Sequence, residues 1–532
     1  MELKEFQRPP NDTGIGIHLS ANMFLPEAVE NRRKWVIREM LAMNMSWAKI
    51  LCDPGWAWNK PKQDVRSSME RPLVLTRELL ENGIMPVIRF YQQQPWTIKD
   101  AGKMAIDYFV QLYALFGYKP YIEFMNEPNL TCEWNDEWHK SHDWKTWPEE
   151  AAHLTVANAH ICLSLGALPG FPAVAPGNDQ SPGAWTMMQY MKDWGETALF
   201  QRGMWVAIHN YHLGYPLNHP NDDIEQKGTP LKPEEYNAWE WDGTPIQTIN
   251  DWRAKDKNPG KTIWELDLGF RGYEKTHMVL EKIFGKEIAE NVPIITTEGG
   301  SVVGWRPDRR YPKVTPRIQM ERTVEAFRFM MEQAPNYYFC EVPWLFGNRW
   351  LGHMNTVWEP HSWFSNWHKT DFPDCVVMEG GAPHLIVVDA VKAMPKTVRK
   401  WKETQMPLQE LPDGQIHALD VSAYSGPIGV TKWQDAYDAG FRMVIAQAWG
   451  GGPNGLGKNP YCYQQLLAAR TAGLDTAIYL VVPSDTTTLT HSLIQAGKDA
   501  AGEEYQYIKF FALDIEGDKL LHPTDPVARL LN

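Results

Sequence analysis

The chain has 532 residues, 43% of them hydrophobic, so it is long enough for roughly two or three domains with cores of their own. A formal net charge of −13 argues against a nucleic-acid or anionic-membrane partner and favours a neutral ligand. Because we find no apolar run of about 18 residues and no apolar signal-peptide core near the start, we expect a soluble chain without membrane insertion, either cytoplasmic or released.

Tryptophan is unusually frequent, with 25 residues against 20 tyrosines and 19 phenylalanines. Its indole ring has a flat apolar face and an N–H group at the edge, which suits stacking on sugar rings as well as packing in a core. The six cysteines include no pair at C-x-x-C spacing, so the sequence signals neither a zinc site nor a disulfide framework. We predict no metal and no cofactor.

Strand and helix patterns alternate over residues 1–404. Polar segment 217–267 is expected to be a large loop over one rim, and 350–367 a loop rich in tryptophan. Eight strand–helix units without hairpin signals predict an α/β fold, a closed (β/α)8 or TIM barrel. The predicted strands are 14–19, 47–51, 85–91, 121–127, 171–176, 204–212, 292–298 and 338–344, and the helices about 26–43, 69–81, 99–116, 148–165, 184–194, 276–288, 316–333 and 383–404.

Two of these predicted strands end on a glutamate. Glu127 stands before Pro128, which predicts an extended conformation at the end of strand four, and Glu298 follows strand seven. A single glutamate at a strand end is most often merely solvated, but the C-terminal rim is where barrel enzymes have their active sites. Two carboxylates there, roughly 5 to 5.5 Å apart, suit cleavage of a glycosidic bond with net retention.

The motifs around these glutamates resemble the clan A glycoside hydrolases, of which family 5 is a familiar member. The resemblance spans residues 10–404 and is carried by Asn126-Glu127-Pro128, Glu298, His209-Asn210-Tyr211 on strand six and Trp344 on strand eight. It implies a retaining hydrolase with Glu127 as general acid/base and Glu298 as nucleophile. It further implies that Asn126 donates to the sugar 2-hydroxyl, that His209 and Tyr211 neighbour the nucleophile, and that Trp344 lies beneath the reacting sugar.

One position departs from this pattern. Family 5 usually has an arginine on strand two, where this chain has Lys49, and the arginine here is Arg89 on strand three. Arg89 either assists the site or forms an ion pair with Glu123 inside the barrel, and the sequence favours neither.

Two further patterns carry weaker signals. His209, His212 and His219 lack the helical i, i+4 spacing of metal ligands, and this agrees with the prediction of no metal. The glycine-rich run 450–457 is not followed by the Lys-Ser/Thr pair of a phosphate-binding loop, so we predict an ordinary loop there.

A second alternation follows a polar, proline-containing linker at 405–414. Its strands are predicted at 417–424, 441–450, 476–482 and 508–516. Leu419-Asp420-Val421-Ser422 and Leu513-Asp514-Ile515-Glu516 resemble the family 25 glycoside hydrolases, the muramidases of lysozyme type. That resemblance implies Glu516 as the acid, with Asp514 and Asp420 assisting.

Family 25 enzymes close an eight-stranded barrel, whereas only four strand–helix units fit between residue 415 and the end of this sequence. We therefore expect residues 415–532 to form an open half-barrel of four parallel strands, with a short helix at 523–531. Such a unit is expected to be a poor muramidase, and the native product is expected to continue beyond Asn532.

Two hypotheses about function follow from the sequence. The first is a retaining glycoside hydrolase acting on a polysaccharide or cell-wall glycan. The alternative is a non-catalytic glycan-binding protein, in which the barrel and its aromatic platforms remain and the acids are inert. Both have a carbohydrate as partner, and the sequence specifies neither the sugar nor an oligomeric state.

Overall fold

Two compact units make up the chain, Met1–Lys402 and Glu403–Asn532. The computed structural model describes residues 1–19, 30–52, 63–176, 183–266, 268–348, 356–377, 382–400, 418–421, 425, 428, 430–438, 441–452, 455–483 and 491–516. The predicted linker at 405–414 and the predicted helix at 523–531 lie outside these ranges. Within them, no helix is long and apolar enough to cross a bilayer.

The first unit is built on a sheet of eight strands in sequence order, with parallel pairing between neighbours. The sheet closes because the backbone N–H of Gly16 donates to Glu341 O and that of His18 to Pro343 O, each at 3.0 Å. The predicted (β/α)8 barrel is confirmed. Its strands are β1 (Gly16–Leu19), β2 (Trp47–Cys52), β3 (Met85–Phe90), β4 (Tyr121–Glu123), β5 (Leu168–Phe171), β6 (Trp205–Tyr211), β7 (Ile294–Gly300) and β8 (Tyr338–Cys340).

Helices cover the outside of the strands, and every residue of β1, β3 and β7 is buried, as parallel strands covered on both faces require. The helix Pro316–Glu332 begins with a standard cap, because Thr315 Oγ1 accepts a 3.2 Å bond from Ile318 N and proline occupies the first turn. The helices of this unit are α1 (Glu30–Ala42), α2 (Gln63–Glu81), α3 (Asp100–Ala114), α4 (Asp136–Ser141), α5 (Trp147–Ser164), α6 (Gly183–Asp193), α7 (Ala198–Arg202), α8 (Asp223–Lys227), α9 (Ile246–Lys255), α10 (Gly272–Phe284), α11 (Lys286–Asn291), α12 (Pro316–Glu332) and α13 (Ile386–Ala393).

Several predicted boundaries were wrong. Strand five was predicted at 171–176, but β5 is Leu168–Phe171, although its Pro-Gly pair is typical of a turn. Gly170 is needed there because a Cβ would come within 2.6 Å of the Trp205 ring. The closing helix, predicted at 383–404, ends at Ala393, since Pro395 cannot donate the next helical hydrogen bond. A small antiparallel pair that was not predicted, β9 (Val376–Val377) and β10 (His384–Leu385), precedes it.

The segment predicted as a loop at 217–267 is a partly helical insert between β6 and α10. It contains α8 and α9, and it has a small core of its own formed by Leu231, Trp241 and Ile249. Asp222 caps α8 by accepting bonds from the backbone N–H groups of Ile224 and Glu225. A core this small leaves the helical surfaces mostly polar, which is why the sequence pattern looks like that of a loop.

The second unit contains four parallel strands in the order β11 (Ala418–Val421), β12 (Met443–Gly452), β14 (Asp475–Pro483), β15 (Ile508–Glu516). Its helices are α14 (Val430–Asp438), α15 (Cys462–Thr471) and α16 (His491–Ala501). The parallel pairing of these four strands agrees with the prediction, and in the part of the chain that the structure describes β11 and β15 lie at the two ends of the strand order. The glycine-rich run was not an ordinary loop: β12 continues to Gly452 and pairs antiparallel with β13 (Gly455–Lys458).

Candidate active site

Glu127 lies in a turn beyond β4, not at the end of a strand. The strand stops at Glu123, and the backbone carbonyl of Glu127 accepts a 2.8 Å bond from Leu130 N. The predicted extended conformation was wrong, because φ of Glu127 is +29°. Pro128 does disfavour the right-handed helical region, and the turn takes positive φ instead. Positive φ at a non-glycine residue costs about 1–3 kcal/mol and is common at functional sites.

Glu298 lies near the end of β7 beside His209 of β6, where a register shift after Ile208 interrupts the ladder. Its side chain is buried, accepts a hydrogen bond from Arg89 Nη1, and accepts a 3.0 Å bond from the Tyr211 hydroxyl. Burial acts to raise the pKa of Glu298, but His209 and Arg89 outweigh it and hold this pKa well below its usual value. Glu298 is therefore ionised.

The imidazole of His209 bridges the two glutamates. Its Nδ1 is 2.7 Å from Glu127 Oε1, and its Nε2 is 3.8 Å from Glu298 Oε1. Burial opposes protonation of this ring, whereas the charges of Glu298 and Glu127 raise its pKa. Arg89 Nη2 is 2.9 Å from Nε2, and because a guanidinium can only donate, Nε2 accepts this bond when the ring is neutral and Nδ1–H then donates to Glu127. When the ring is protonated, Nδ1–H still donates to Glu127, and the positive charge acts on Glu298.

Beneath Glu298, Arg89 belongs to a fully buried ionic network. Its Nε and Nη2 donate to the two carboxylate oxygens of Glu123 at 3.0 and 3.2 Å, and Lys49 donates to the same carboxylate. Burial lowers the pKa of Lys49 to about 7. Burial acts to raise the pKa of Glu123, but the charges of Arg89 and Lys49 outweigh it and lower this pKa to about 2. Arg89 therefore makes both contacts left open by the sequence, the ion pair with Glu123 and the contact with Glu298.

Replacing Glu123 by alanine is expected to lower the free energy of unfolding by about 3–5 kcal/mol, because Arg89 and Lys49 would stay buried without their counter-charge. Urea titration followed by tryptophan fluorescence measures the loss. The control is Glu321→Ala, which removes a half-exposed partner of Arg317 and should cost no more than about 1 kcal/mol. Similar losses in the two variants would contradict this account of the network.

Trp344 was predicted on strand eight but lies in the loop that follows β8. Its backbone N–H donates to Gly299 O at 2.9 Å, which fixes it beside the end of β7. The ring packs edge-on against His18 at 4.2 Å and Trp358 at 5.3 Å between centroids. With 7% of its surface exposed, Trp344 is part of the wall of the rim.

The structure also brings residues to this region that the sequence reasoning missed: Glu133, His18 and His361. Asn126 Nδ2 donates to Glu133 Oε1 at 2.7 Å. His18 of β1 is fully buried, and burial lowers the pKa of His361 to about 4. His18 could have been singled out as a polar residue within the predicted strand one. Glu133 could not, because it lies in a segment whose fold depends on distant contacts.

The three histidines weighed as metal ligands do not meet. His209 contacts the two glutamates, His212 Nε2 lies 3.2 Å from Glu341, and His219 Nδ1 lies 2.9 Å from Asp222. Among the residues that the structure describes, no group of three His, Cys, Asp or Glu side chains could hold a metal ion.

The acids of the second unit occupy strands at opposite ends of its sheet. Asp420 is exposed on β11. Asp514 and Glu516 are on β15, paired in register with Val481 and Pro483 of β14. Because β12 and β14 lie between β11 and β15, the sheet does not make Asp420 a strand neighbour of the other two.

Fold and rim together define the chain as a (β/α)8-barrel protein with two carboxylates bridged by one histidine. No protein-family model and no curated protein matches it. Among solved structures it is similar to a GH5_18 from Bifidobacterium longum subsp. infantis, with 10% identity, coverage of 97% of this chain and 98% of that chain, and a TM-score of 0.39.

Two further similar structures have comparable scores. PbGH5A, a glycoside hydrolase family 5 enzyme from Prevotella bryantii B14, is 11% identical over 73% of this chain and 98% of that chain, with a TM-score of 0.35. A family 39 glycoside hydrolase from Bacteroides cellulosilyticus WH2 is 11% identical over 67% of this chain, with a TM-score of 0.37, and the match spans 60% of its length. At such low scores the likeness does not bear on function, and the family 25 resemblance of residues 415–532 finds no support.

Proposed function

We propose that the chain is a retaining glycoside hydrolase of the clan A, family 5-like type, with Glu298 as nucleophile and Glu127 as general acid/base. The observation that carries the proposal is the His209 ring, which contacts both carboxylates, one on each side. The shared imidazole brings the two carboxylates to one site, and we propose that they have the separation of roughly 5 to 5.5 Å that retention needs.

In the first step, the ionised Glu298 attacks the anomeric carbon and the bond to the leaving oxygen breaks. Arg89 and Tyr211 hold the two oxygens of Glu298 and fix the carboxylate plane. Glu127 gives its proton to the departing oxygen. Since His209 Nδ1–H donates to Oε1 of Glu127, the proton for transfer is assigned to the other oxygen.

In the second step, the ester at Glu298 no longer carries a negative charge. Glu127, now a carboxylate, takes a proton from water as the water attacks the anomeric carbon on the face that the leaving group vacated. Glu298 departs as a carboxylate, and its interactions with Arg89 and Tyr211 favour that release. Two inversions at the same carbon give net retention.

The proposed substrate is a neutral glycan, in keeping with the net charge of −13. Trp344 would face the apolar side of the reacting sugar, and Asn126, His209, Tyr211 and Arg89 would complete its binding site. We propose residues 1–404 as the catalytic domain and 415–532 as a separate half-barrel domain after a linker at 405–414. We assign no reaction to the second domain.

A panel of 2,4-dinitrophenyl and 4-nitrophenyl α- and β-glycosides, with purified polysaccharides, tests the proposal. We expect hydrolysis within one sugar series, with a first product of retained configuration by proton NMR. A 2-deoxy-2-fluoro dinitrophenyl glycoside of that series should inactivate the enzyme and add one glycosyl mass to the peptide containing Glu298, because fluorine slows release of the intermediate.

Glu298→Gln is the matched control, since it keeps the shape of the side chain and should take up no label. Inverted product would overturn the retaining mechanism. Absence of hydrolysis across the panel, together with polysaccharide binding in affinity electrophoresis, would favour the non-catalytic glycan-binding protein.

A further inference from the structure

Glu133 is a third carboxyl group at the site, and its position is fixed from two sides. Gln94 N donates to Glu133 O at 2.7 Å, and Asn135 N donates to Gln94 O at 2.8 Å, so the loop after β4 is bonded to the loop after β3. The Trp134 indole N–H donates to Pro128 O at 2.8 Å, which joins the same loop to the turn that carries Glu127. With 8% of its surface exposed, Glu133 is buried.

The side chain of Glu133 determines how the amide of Asn126 is oriented. An ionised carboxylate only accepts hydrogen bonds, so Asn126 must turn Nδ2 towards Glu133, and it does so at 2.7 Å. The other amide atom, Oδ1, is buried and has no hydrogen-bond partner among the residues that the structure describes. A buried acceptor without a partner is unfavourable, and a donor from a bound ligand would relieve it.

We propose that Glu133 is a positioning residue that sets the hydrogen-bond polarity of Asn126, so that the sugar hydroxyl bound there donates its hydrogen to Asn126 Oδ1. The inference rests on the proposed glycosidase function and adds a rule for substrate recognition. It also reverses the polarity implied by the family 5-like motif, in which this asparagine donates. A ligand with no donor at that position, such as a deoxy sugar, leaves Oδ1 unpaired and binds less well.

The polarity depends on the ionisation of Glu133. Burial raises the pKa of Glu133 to about 7, and the charges of Glu127 and Glu298 act in the same direction. The hydrogen bond from Asn126 and the charge of Arg89 act to lower this pKa. Cys132 is a further titratable neighbour, and burial and Glu133 raise its pKa in turn. Above about pH 7 Glu133 accepts from Nδ2. Below it, the protonated Glu133 can donate to Oδ1, and Asn126 then turns Nδ2 towards the sugar.

The test compares Glu133→Gln with Glu133→Asp and with the control Glu137→Gln, an exposed residue of α4. kcat/KM is measured from pH 5 to 9 with the aryl glycoside that the panel identifies and its monodeoxy analogues. For the wild type we expect one deoxy position to cost about 10²-fold in kcat/KM above pH 7, and less below it. Glu133→Gln should lose this pH dependence and discriminate at most about 5-fold, Glu133→Asp should regain it, and Glu137→Gln should match the wild type.

A second measurement needs no turnover. Because the pKa of Glu133 is raised on folding, its stabilising contribution is complete below the unfolded value of 4.5 and is lost as pH rises through about 7. The midpoint of thermal unfolding of Glu133→Gln should therefore gain several degrees on the wild type between pH 5 and 8, whereas Glu137→Gln should show a constant difference.

The two measurements separate the two proposals. A constant thermal difference for Glu133→Gln overturns the inference whether or not the protein hydrolyses glycosides. Hydrolysis with unchanged pH dependence and deoxy discrimination in Glu133→Gln also overturns it, and leaves the glycosidase proposal intact. An inactive wild type overturns the glycosidase proposal alone, and the thermal measurement then decides whether Glu133 titrates as inferred.

Discussion

Glu298→Ala is expected to lower kcat by about 10⁴-fold or more, because the variant has no group that can form the covalent intermediate. Added azide should restore part of the turnover, since the anion fits the space left by the carboxylate and attacks the anomeric carbon from the same side. The product should then be a glycosyl azide of inverted configuration, which proton NMR identifies. Glu298→Gln fills that space and should gain little from azide.

The fold of the Glu298 variants needs its own check, because this carboxylate contacts Arg89. The guanidinium keeps two bonds to Glu123, so we expect only a modest fall in the thermal midpoint and a barrel that remains folded. Glu321→Ala serves as the surface control for activity. Activity in Glu298→Ala comparable to the wild type would remove Glu298 from the role of nucleophile.

The barrel could be predicted because local sequence patterns mark its strands. Parallel strands covered on both faces are rich in apolar residues, as in residues 85–88 of β3, and turn residues separate them from amphipathic helices. The ends of strands depend instead on pairing with distant segments. β4 and β8 are only three residues long because their neighbours stop pairing there, and no local signal marks that point.

The residues of the site also divide into those that a local sequence motif identifies and those that depend on contacts between distant segments. Glu127 and Glu298 could be proposed from short motifs, whereas Glu133 enters the site because its loop is bonded to Gln94, far away in the chain. Glu127 itself was proposed with the wrong backbone conformation, since its positive φ arises in a turn whose course a single proline does not determine. The double contact of Arg89 likewise needs the closed barrel, which brings β3, β4 and β7 around one interior.

Glu127→Ala is expected to separate substrates by their leaving groups. A poor leaving group needs the proton from Glu127, so kcat/KM for an alkyl or unsubstituted phenyl glycoside should fall about 10²–10⁴-fold. A 2,4-dinitrophenolate leaves without protonation, and its kcat/KM should change less than about 10-fold. The slope of log kcat/KM against leaving-group pKa should therefore be much steeper in the variant than in the wild type.

The second step supplies an independent check on the same variant. Without Glu127 no base activates water, so with the dinitrophenyl glycoside kcat should fall while kcat/KM holds, and a burst of dinitrophenolate should precede the slow steady state. Azide needs no base and should restore kcat, this time with retained configuration because Glu298 still forms the intermediate. Glu137→Ala on the neighbouring helix is the control and should keep the wild-type slope. An equal loss across all leaving groups would show that Glu127 is not the acid, since truncation would then have disturbed the site as a whole.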